Sequence, residues 1–270
     1  MSFALRYGPW ALILGASEGT GRAFARKIAA NGVPSILVAR REKPLQDLAA
    51  TIRAESGVEC VAASVDLYAA DAFDKIVSAV GSREVGLFVS NAGSDPHGSY
   101  FLDSSMDVWL DQIQRNITTM ARCCHHLGGL MRQRRKGGLL LVNSGACYGG
   151  SSFMAAYSGT KAFTLCFAES LWAELRRDGV DVLTLVMSLT DTPALRELLV
   201  KKGLPVPAMA ADAEAVADIG LARLPHGPVY NWGFEDEAPA HGLLSAADRR
   251  KRVLTIEAAT SRVFGKSAGT

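Results

Sequence analysis

The sequence predicts an α/β protein, a doubly wound parallel sheet of about seven strands with helices on both faces. Two observations predict it. Short apolar runs alternate six times with helical stretches through short connections, and the first run feeds directly into a glycine-rich turn that opens a helix. With 270 residues, 49% of them apolar, the chain can bury a core of the size such a domain needs. No linker, repeat or low-complexity stretch divides it, so residues 1–270 are expected to form one domain.

From Trp10 the sequence WALILGASEGTGRAFARKIAANG reads as strand, turn and an amphipathic helix that stops at Gly32. A strand from Ser35 to Arg40, a helix from Pro44 to Glu55 and a strand in VECVAASVDL repeat the unit. Asp71 to Val80 reads as helix, Val85 to Ser90 as a strand ending in Asn91-Ala92-Gly93, and Ser104 to Arg135 as a long helix or a pair broken near Gly128 and Gly129. The Leu139 strand, the helix carrying Tyr157 and the strand from Val180 to Val186 follow. Residues 188–212, with Pro193, Pro205 and Pro207, interrupt the rhythm and are expected to form a substrate lid. A helix from Ala213 to Leu224 and a strand from Pro228 to Trp232 restore it. A charged helix is expected over residues 245–264.

Charge and cysteine content exclude several function classes. A net charge of +2 is too small to argue for nucleic acid, and the two basic runs, Arg132 to Lys136 and Arg249 to Arg252, suit solvated helix faces or ends. Five cysteines without a CxxC pair give no disulfide framework, and the five histidines lack ligand spacing, so no metal site is expected. The adjacent His125 and His126 would point about 100° apart on a helix. No long apolar segment is present, and a cytoplasmic protein without membrane or nucleic-acid partners is expected.

The residues that carry chemistry lie at the carboxyl ends of the expected strands. Gly15, Gly19 and Gly21, with Ser17, Glu18 and Thr20 between them, form a strand-to-helix turn whose backbone N–H groups can hold a pyrophosphate. By spacing alone it also suits a plain tight turn. Where an acidic residue would bind the ribose 2′-hydroxyl of NAD, the chain has Arg40 and Arg41, which suit a 2′-phosphate; Glu18 would oppose it by repulsion. Asp66 with Leu67 follows the third strand, and Asn91-Ala92-Gly93 closes the fourth. Asn116 is a poor helix former inside a helix, which suits a specific hydrogen bond or an exposed position.

Of the six tyrosines only Tyr157 has a lysine, Lys161, four positions later, on the same face of a helix. An ammonium there makes the phenol a better acid. Alone, the pair also fits a core aromatic and a solvated lysine. Ser144 ends the strand upstream; as a hydrolase nucleophile it would lack a GxSxG elbow.

Taken together, over residues 8–232, these features resemble the classical short-chain dehydrogenases and reductases. The resemblance implies a Rossmann-type fold and NADP(H) as cofactor. It implies Tyr157 as acid or base, Lys161 on the nicotinamide ribose, Ser144 polarising the carbonyl, and Asn116 supporting a water in the proton relay. For the cofactor it implies the turn from Gly15 to Gly21, adenine contacts at Asp66 and Leu67, Asn91-Ala92-Gly93, and Thr192 at the carboxamide. It further implies a homodimer or homotetramer paired through the Asn116 and Tyr157 helices. Three positions depart from the family's pattern: Leu14 precedes the first glycine, Ser90 precedes Asn91, and Met187-Ser188 replaces a Pro-Gly. The apolar surroundings favour a moderately bulky ketone or secondary alcohol, with a 3-oxoacyl thioester or a non-catalytic NADP sensor as alternatives.

Overall fold

The computed structural model describes residues 2–94, 98–187 and 189–232, with 255 and 258. A short helix α1 (Phe3–Tyr7) precedes β1 (Trp10–Leu14), α2 (Gly19–Ala30), β2 (Ser35–Ala39), α3 (Glu42–Ser56), β3 (Cys60–Ser64), α4 (Ala72–Val80) and β4 (Val85–Ser90). Then come α5 (Met106–Ile113), a π-helical turn (Gln114–Thr119), α6 (Met120–Arg134) and β5 (Gly137–Ser144). The chain continues through α7 (Ala155–Leu175), β6 (Val180–Met187), β7 (Thr190–Asp191), α8 (Pro193–Lys201), β8 (Ala211–Asp212), α9 (Ala213–Arg223) and β9 (Val229–Asn231).

Seven strands form one sheet in the order β3-β2-β1-β4-β5-β6-β9, and every pairing in it is parallel. The short β7 and β8 pair separately, also in parallel. The order reverses direction at β1, where β2 lies on one side and β4 on the other, and at such a switch point the carboxyl strand ends open a crevice.

Side chains alternate across the pleat. Ile13, Leu37, Val89, Leu140 and Leu185 join a core with α2, α3 and α9, while Leu12, Leu14, Ile36, Phe88, Leu139 and Leu141 join a second core with α4, α6 and α7. Burial on both faces explains why the strands read as continuous apolar runs.

The long helical stretch is interrupted elsewhere than its glycines suggest. The break falls at Gln114–Thr119, where the helix widens into a π turn, and α6 runs on through Gly128 and Gly129. Gly128 is buried, and a Cβ there would make only ordinary van der Waals contact, 3.6 Å from Leu139 and 3.8 Å from Leu175, so the position tolerates helix without requiring a glycine. The sequence reading also lacks α1, which is five residues long. It is held by tertiary contacts, because Arg6 and the Tyr7 hydroxyl all donate to the Asp181 carboxylate, at 2.7–2.8 Å. The segment 188–212 contains a helix, α8, capped by the Thr192 side chain, which accepts from the Leu195 amide at 3.2 Å. The helix expected over 245–264 falls outside the described residues apart from 255 and 258, as does Ser188.

Candidate active site

The glycine turn joins β1 to α2, and each of its glycines lies where another part of the protein comes close. A Cβ on Gly15 (φ +77°) would lie 2.9 Å from the Ala92 nitrogen, and one on Gly21 only 2.0 Å from the Gly15 carbonyl oxygen. A Cβ on Gly19 (φ +51°) would meet Thr192 Cγ2 at 2.9 Å. The turn thus packs against Asn91-Ala92-Gly93 on one side and the start of α8 on the other. Asn91 fastens the first contact by donating from Nδ2 to the Gly15 carbonyl at 3.2 Å. Glu18 is the N-cap of α2 but makes no side-chain capping bond, so no side chain of the cap competes for the first-turn N–H groups. This fits an anionic phosphate at a helix N-terminus, where the dipole also favours negative charge. The other turn residues, Ser17 and Thr20, sit half-buried and buried beside it.

At the end of β2, Arg41 pairs with Glu18 at 2.6 Å and reaches Ser17 Oγ at 3.4 Å. The carboxylate expected to repel a 2′-phosphate is therefore already matched by a guanidinium. Arg40, exposed, lies 5.3 Å from the centroid of the Tyr68 ring. Asp66 lies two residues beyond β3, exposed, and its Oδ1 accepts from the Tyr68 amide at 3.2 Å, while the buried Leu67 gives its carbonyl to Thr119 Oγ1.

Tyr157 and Lys161 sit one turn apart on α7, and Lys161 Nζ lies 5.7 Å from the Tyr157 ring centroid. The ammonium is buried and donates to the Val142 carbonyl at 3.2 Å. Burial pulls its pKa down from 10.5 to about 8, Arg115 pushes it the same way, and Cys147 opposes them. The strand end next to Ser144 is stitched to this helix, since Asn143 Nδ2 donates to the Lys161 carbonyl at 3.2 Å and Asn143 Oδ1 accepts from the Ser144 amide at 2.9 Å. Ser144 Oγ accepts from the Ala146 amide at 3.3 Å.

Asn116, buried in the π turn, donates from Nδ2 to Thr160 Oγ1 at 3.0 Å, and that hydroxyl donates to the Tyr157 carbonyl at 2.8 Å. Gly93 lies between Asn116 and Lys161: a Cβ there would be 3.4 Å from Asn116 Oδ1 and 2.9 Å from Lys161 Nζ. The fold therefore gathers Asn116, Tyr157, Lys161 and the β5 end bearing Ser144 on one side of the crevice. Gly15, Gly19, Gly21, Asn91, Ala92 and Thr192 gather beside them, and Arg40, Arg41 and Asp66 lie farther along the strand ends.

Four residues of this arrangement escaped the sequence reading: Arg115, Tyr68, Asn143 and Thr160. None of the four left a signal of its own: Arg115, in Gln114-Arg115-Asn116-Ile117-Thr118-Thr119, reads as an ordinary helix charge. Among the described residues, no group of three or more His, Cys, Asp or Glu could hold a metal ion, and no helix is long and apolar enough to cross a membrane.

The profile of the family described as short chain dehydrogenase matches residues 9–202. A very-long-chain 3-oxoacyl-CoA reductase of Laccaria bicolor is 36% identical over 67% of this chain and 54% of its own length, so the chain spans about half of that relative. A solved 7beta-hydroxysteroid dehydrogenase, from a study of its stereoselectivity, superposes with a TM-score of 0.85 at 27% identity, over 94% of this chain and 99% of that one. A short-chain dehydrogenase from Sphingobium yanoikuyae in complex with NADPH superposes with a TM-score of 0.78 at 25% identity, over 92% and 96%. By sequence and by fold, this chain belongs to the short-chain dehydrogenase family.

Proposed function

We propose that the protein is an NADP(H)-dependent oxidoreductase that interconverts a ketone and a secondary alcohol on an apolar, moderately bulky substrate. The observation that carries this reading is the buried Lys161 ammonium, 5.7 Å from the Tyr157 ring and against Gly93, next to a glycine turn with an uncapped helix N-terminus. The turn, Asn91-Ala92-Gly93 and Thr192 would hold the dinucleotide, which supplies a hydride when bound. Tyr157 would donate the proton to the carbonyl oxygen in reduction and accept it in oxidation. Lys161 keeps positive charge beside the phenol as that proton leaves, and its charge is retained below about pH 8. Ser144 donates a hydrogen bond to the substrate oxygen as negative charge develops there.

Support for NADP over NAD comes from Arg40 and Arg41 at the end of β2, where Arg41 already matches the Glu18 carboxylate and Arg40 keeps an exposed guanidinium. A bulky apolar substrate is supported by the likeness to a hydroxysteroid dehydrogenase and by the apolar residues of 189–210, among them Leu195, Leu198, Leu204 and Met209, which we read as part of a lid. The likeness to a 3-oxoacyl-CoA reductase favours a second reading, a 3-oxoacyl thioester as substrate. A homodimer or homotetramer through the α5 and α7 faces is supported by the exposed Met106, Leu110 and Phe163. A cytoplasmic location belongs to the same proposal.

The test is NADPH and NADH fluorescence on binding, followed by NADPH oxidation across a panel of bulky ketones, hydroxysteroid-type ketones and 3-oxoacyl thioesters. The proposal expects NADPH binding and turnover of at least one bulky ketone. Turnover confined to thioesters selects the second reading, and binding without turnover of any compound replaces both with a cofactor sensor.

A further inference from the structure

Arg115 stands inside the site without belonging to the set of residues that the family resemblance assigns. Its side chain is almost buried, with the residue 8% exposed. The guanidinium donates from Nε to Asn116 Oδ1 at 2.9 Å, from a second nitrogen to the Tyr68 hydroxyl, and from the third to the Ser94 carbonyl. These acceptors belong to three different segments: the connection after β3, the connection after β4, and the π turn. A planar guanidinium can serve three directions at once, whereas a lysine ammonium on a flexible stem presents one point charge.

We infer that Arg115 is a positioning residue of the reaction, holding the Asn116 carboxamide in the one orientation that anchors the first turn of α7 beneath Tyr157. Arg115 can only donate, so it selects the amide oxygen; an amide turned by 180° would set donor against donor. With Oδ1 held, Nδ2 is directed to Thr160 Oγ1 at 3.0 Å, and Thr160 is directed in turn to the Tyr157 carbonyl at 2.8 Å. The chain of bonds therefore runs from the two strand-end connections through Arg115, Asn116 and Thr160 to the backbone of the proton donor. The same Oδ1 flanks Gly93 together with Lys161 Nζ, so a swung carboxamide would also disturb the surroundings of the ammonium.

The π turn makes this possible. In a regular α-helix, adjacent residues diverge by about 100°. In the widened turn Arg115 and Asn116 are both buried, and Thr119 joins them to tie the turn to the Leu67 carbonyl. Tyr68 links the arrangement outward, since its ring also lies 5.3 Å from the Arg40 guanidinium.

The inference rests on the reductase reading for its kinetic effect, so the experiment has one arm with turnover and one without. In the first, kcat, KM and the NADPH dissociation constant are measured for Arg115→Met, Asn116→Ala and the double variant, on a ketone that the wild type reduces. The expected result is kcat lower by about 10–100-fold in Arg115→Met, with NADPH affinity within about threefold. In the Asn116→Ala background the same change should cost less than about threefold, because residues acting in series are not additive. An equal loss in both backgrounds, or an unchanged kcat, overturns the inference.

The second arm reads amide hydrogen exchange at residues 157–161 in the cofactor-free protein. Arg115→Met should exchange faster there by about tenfold or more while β1 is unchanged, and equal exchange at 157–161 overturns the inference even if no ketone is ever reduced. Should Arg115→Met not fold, Tyr68→Phe removes only one acceptor of the guanidinium. It should give a milder fall in kcat, about two- to fivefold, that disappears in Asn116→Ala, and persistence of its full effect there would refute the assignment.

Discussion

Replacing Lys161 by methionine should expose what it costs the fold to keep a cation buried beside Tyr157. Burial is the largest influence on this lysine and Arg115 the next, and together they bring its pKa from 10.5 to about 8. The folded value lies below the unfolded one, so between about pH 8 and 10.5 the unfolded chain binds more protons, and this group's contribution to stability rises with pH. At about 1.4 kcal/mol per pH unit, the gap between 10.5 and about 8 corresponds to about 3 kcal/mol of destabilisation at neutral pH, released as the lysine loses its charge. The assay is urea unfolding of the cofactor-free protein and of Lys161→Met at intervals from pH 7 to pH 11, under reducing conditions.

Other groups titrate in the same range with the opposite sign. Burial raises the Cys123 thiol to about 12 and pushes Cys124 and the Tyr7 phenol upward, so the stability they confer is lost at high pH. Both proteins share them, and the difference between the two isolates Lys161. Wild-type stability should gain on the variant by about 3 kcal/mol across the range. A difference that stays flat to within about 0.5 kcal/mol would refute the account of a desolvated, strained ammonium.

Other perturbations test the cofactor crevice and the frame around it. Gly21→Ala places a Cβ 2.0 Å from the Gly15 carbonyl and 2.7 Å from Asn91 Nδ2; a backbone contact cannot rotate away, so thermal unfolding should reveal a loss of about 1–3 kcal/mol or more and NADPH binding should weaken with it. A variant with wild-type stability and affinity would show that the turn relaxes freely. Arg40→Ser should raise the NADPH dissociation constant by about 10–100-fold, the equivalent of a charged hydrogen bond, while NADH changes by less than about threefold; equal losses for both would remove Arg40 from the 2′-phosphate. Asp181→Ala strands the buried Tyr7 hydroxyl and the Arg6 pair, and denaturant unfolding should show about 2–3 kcal/mol lost, against about 1 for Tyr7→Phe; equal losses would contradict the shared-carboxylate reading.

Much of the architecture was legible because its signals are local and repeated. A strand buried on both faces is apolar throughout, as in Ile36-Leu37-Val38, and a strand followed by Gly15, Gly19 and Gly21 marks the switch-point turn. The fold also brings Asn116, Tyr157 and Lys161 together, and of the two readings open for Asn116 it shows the buried, hydrogen-bonded one. What stayed hidden depends on partners distant in sequence. Arg115 reads as a surface charge until Tyr68 and Ser94 are seen to receive it. Glu18 reads as an obstacle until Arg41 is seen against it. Residues 104–135 were expected as a long helix or a pair broken near Gly128 and Gly129, where propensity is weakest; α6 runs through both glycines, and the interruption falls at Gln114–Thr119, where Arg115, Asn116 and Thr119 are buried together. Helix α1 is too short to show a period, and its Asp181 partner lies 175 residues beyond Arg6.

The central claim is that Tyr157 transfers the proton while the cofactor is held by other residues. The most direct measurement compares single-turnover NADPH oxidation by wild type and Tyr157→Phe on a ketone that the wild type reduces, with NADPH affinity determined by fluorescence for both. The account predicts a rate lower by about 10²–10⁴-fold with the affinity within a few fold. A Tyr157→Phe protein that oxidises NADPH at near the wild-type rate would contradict it.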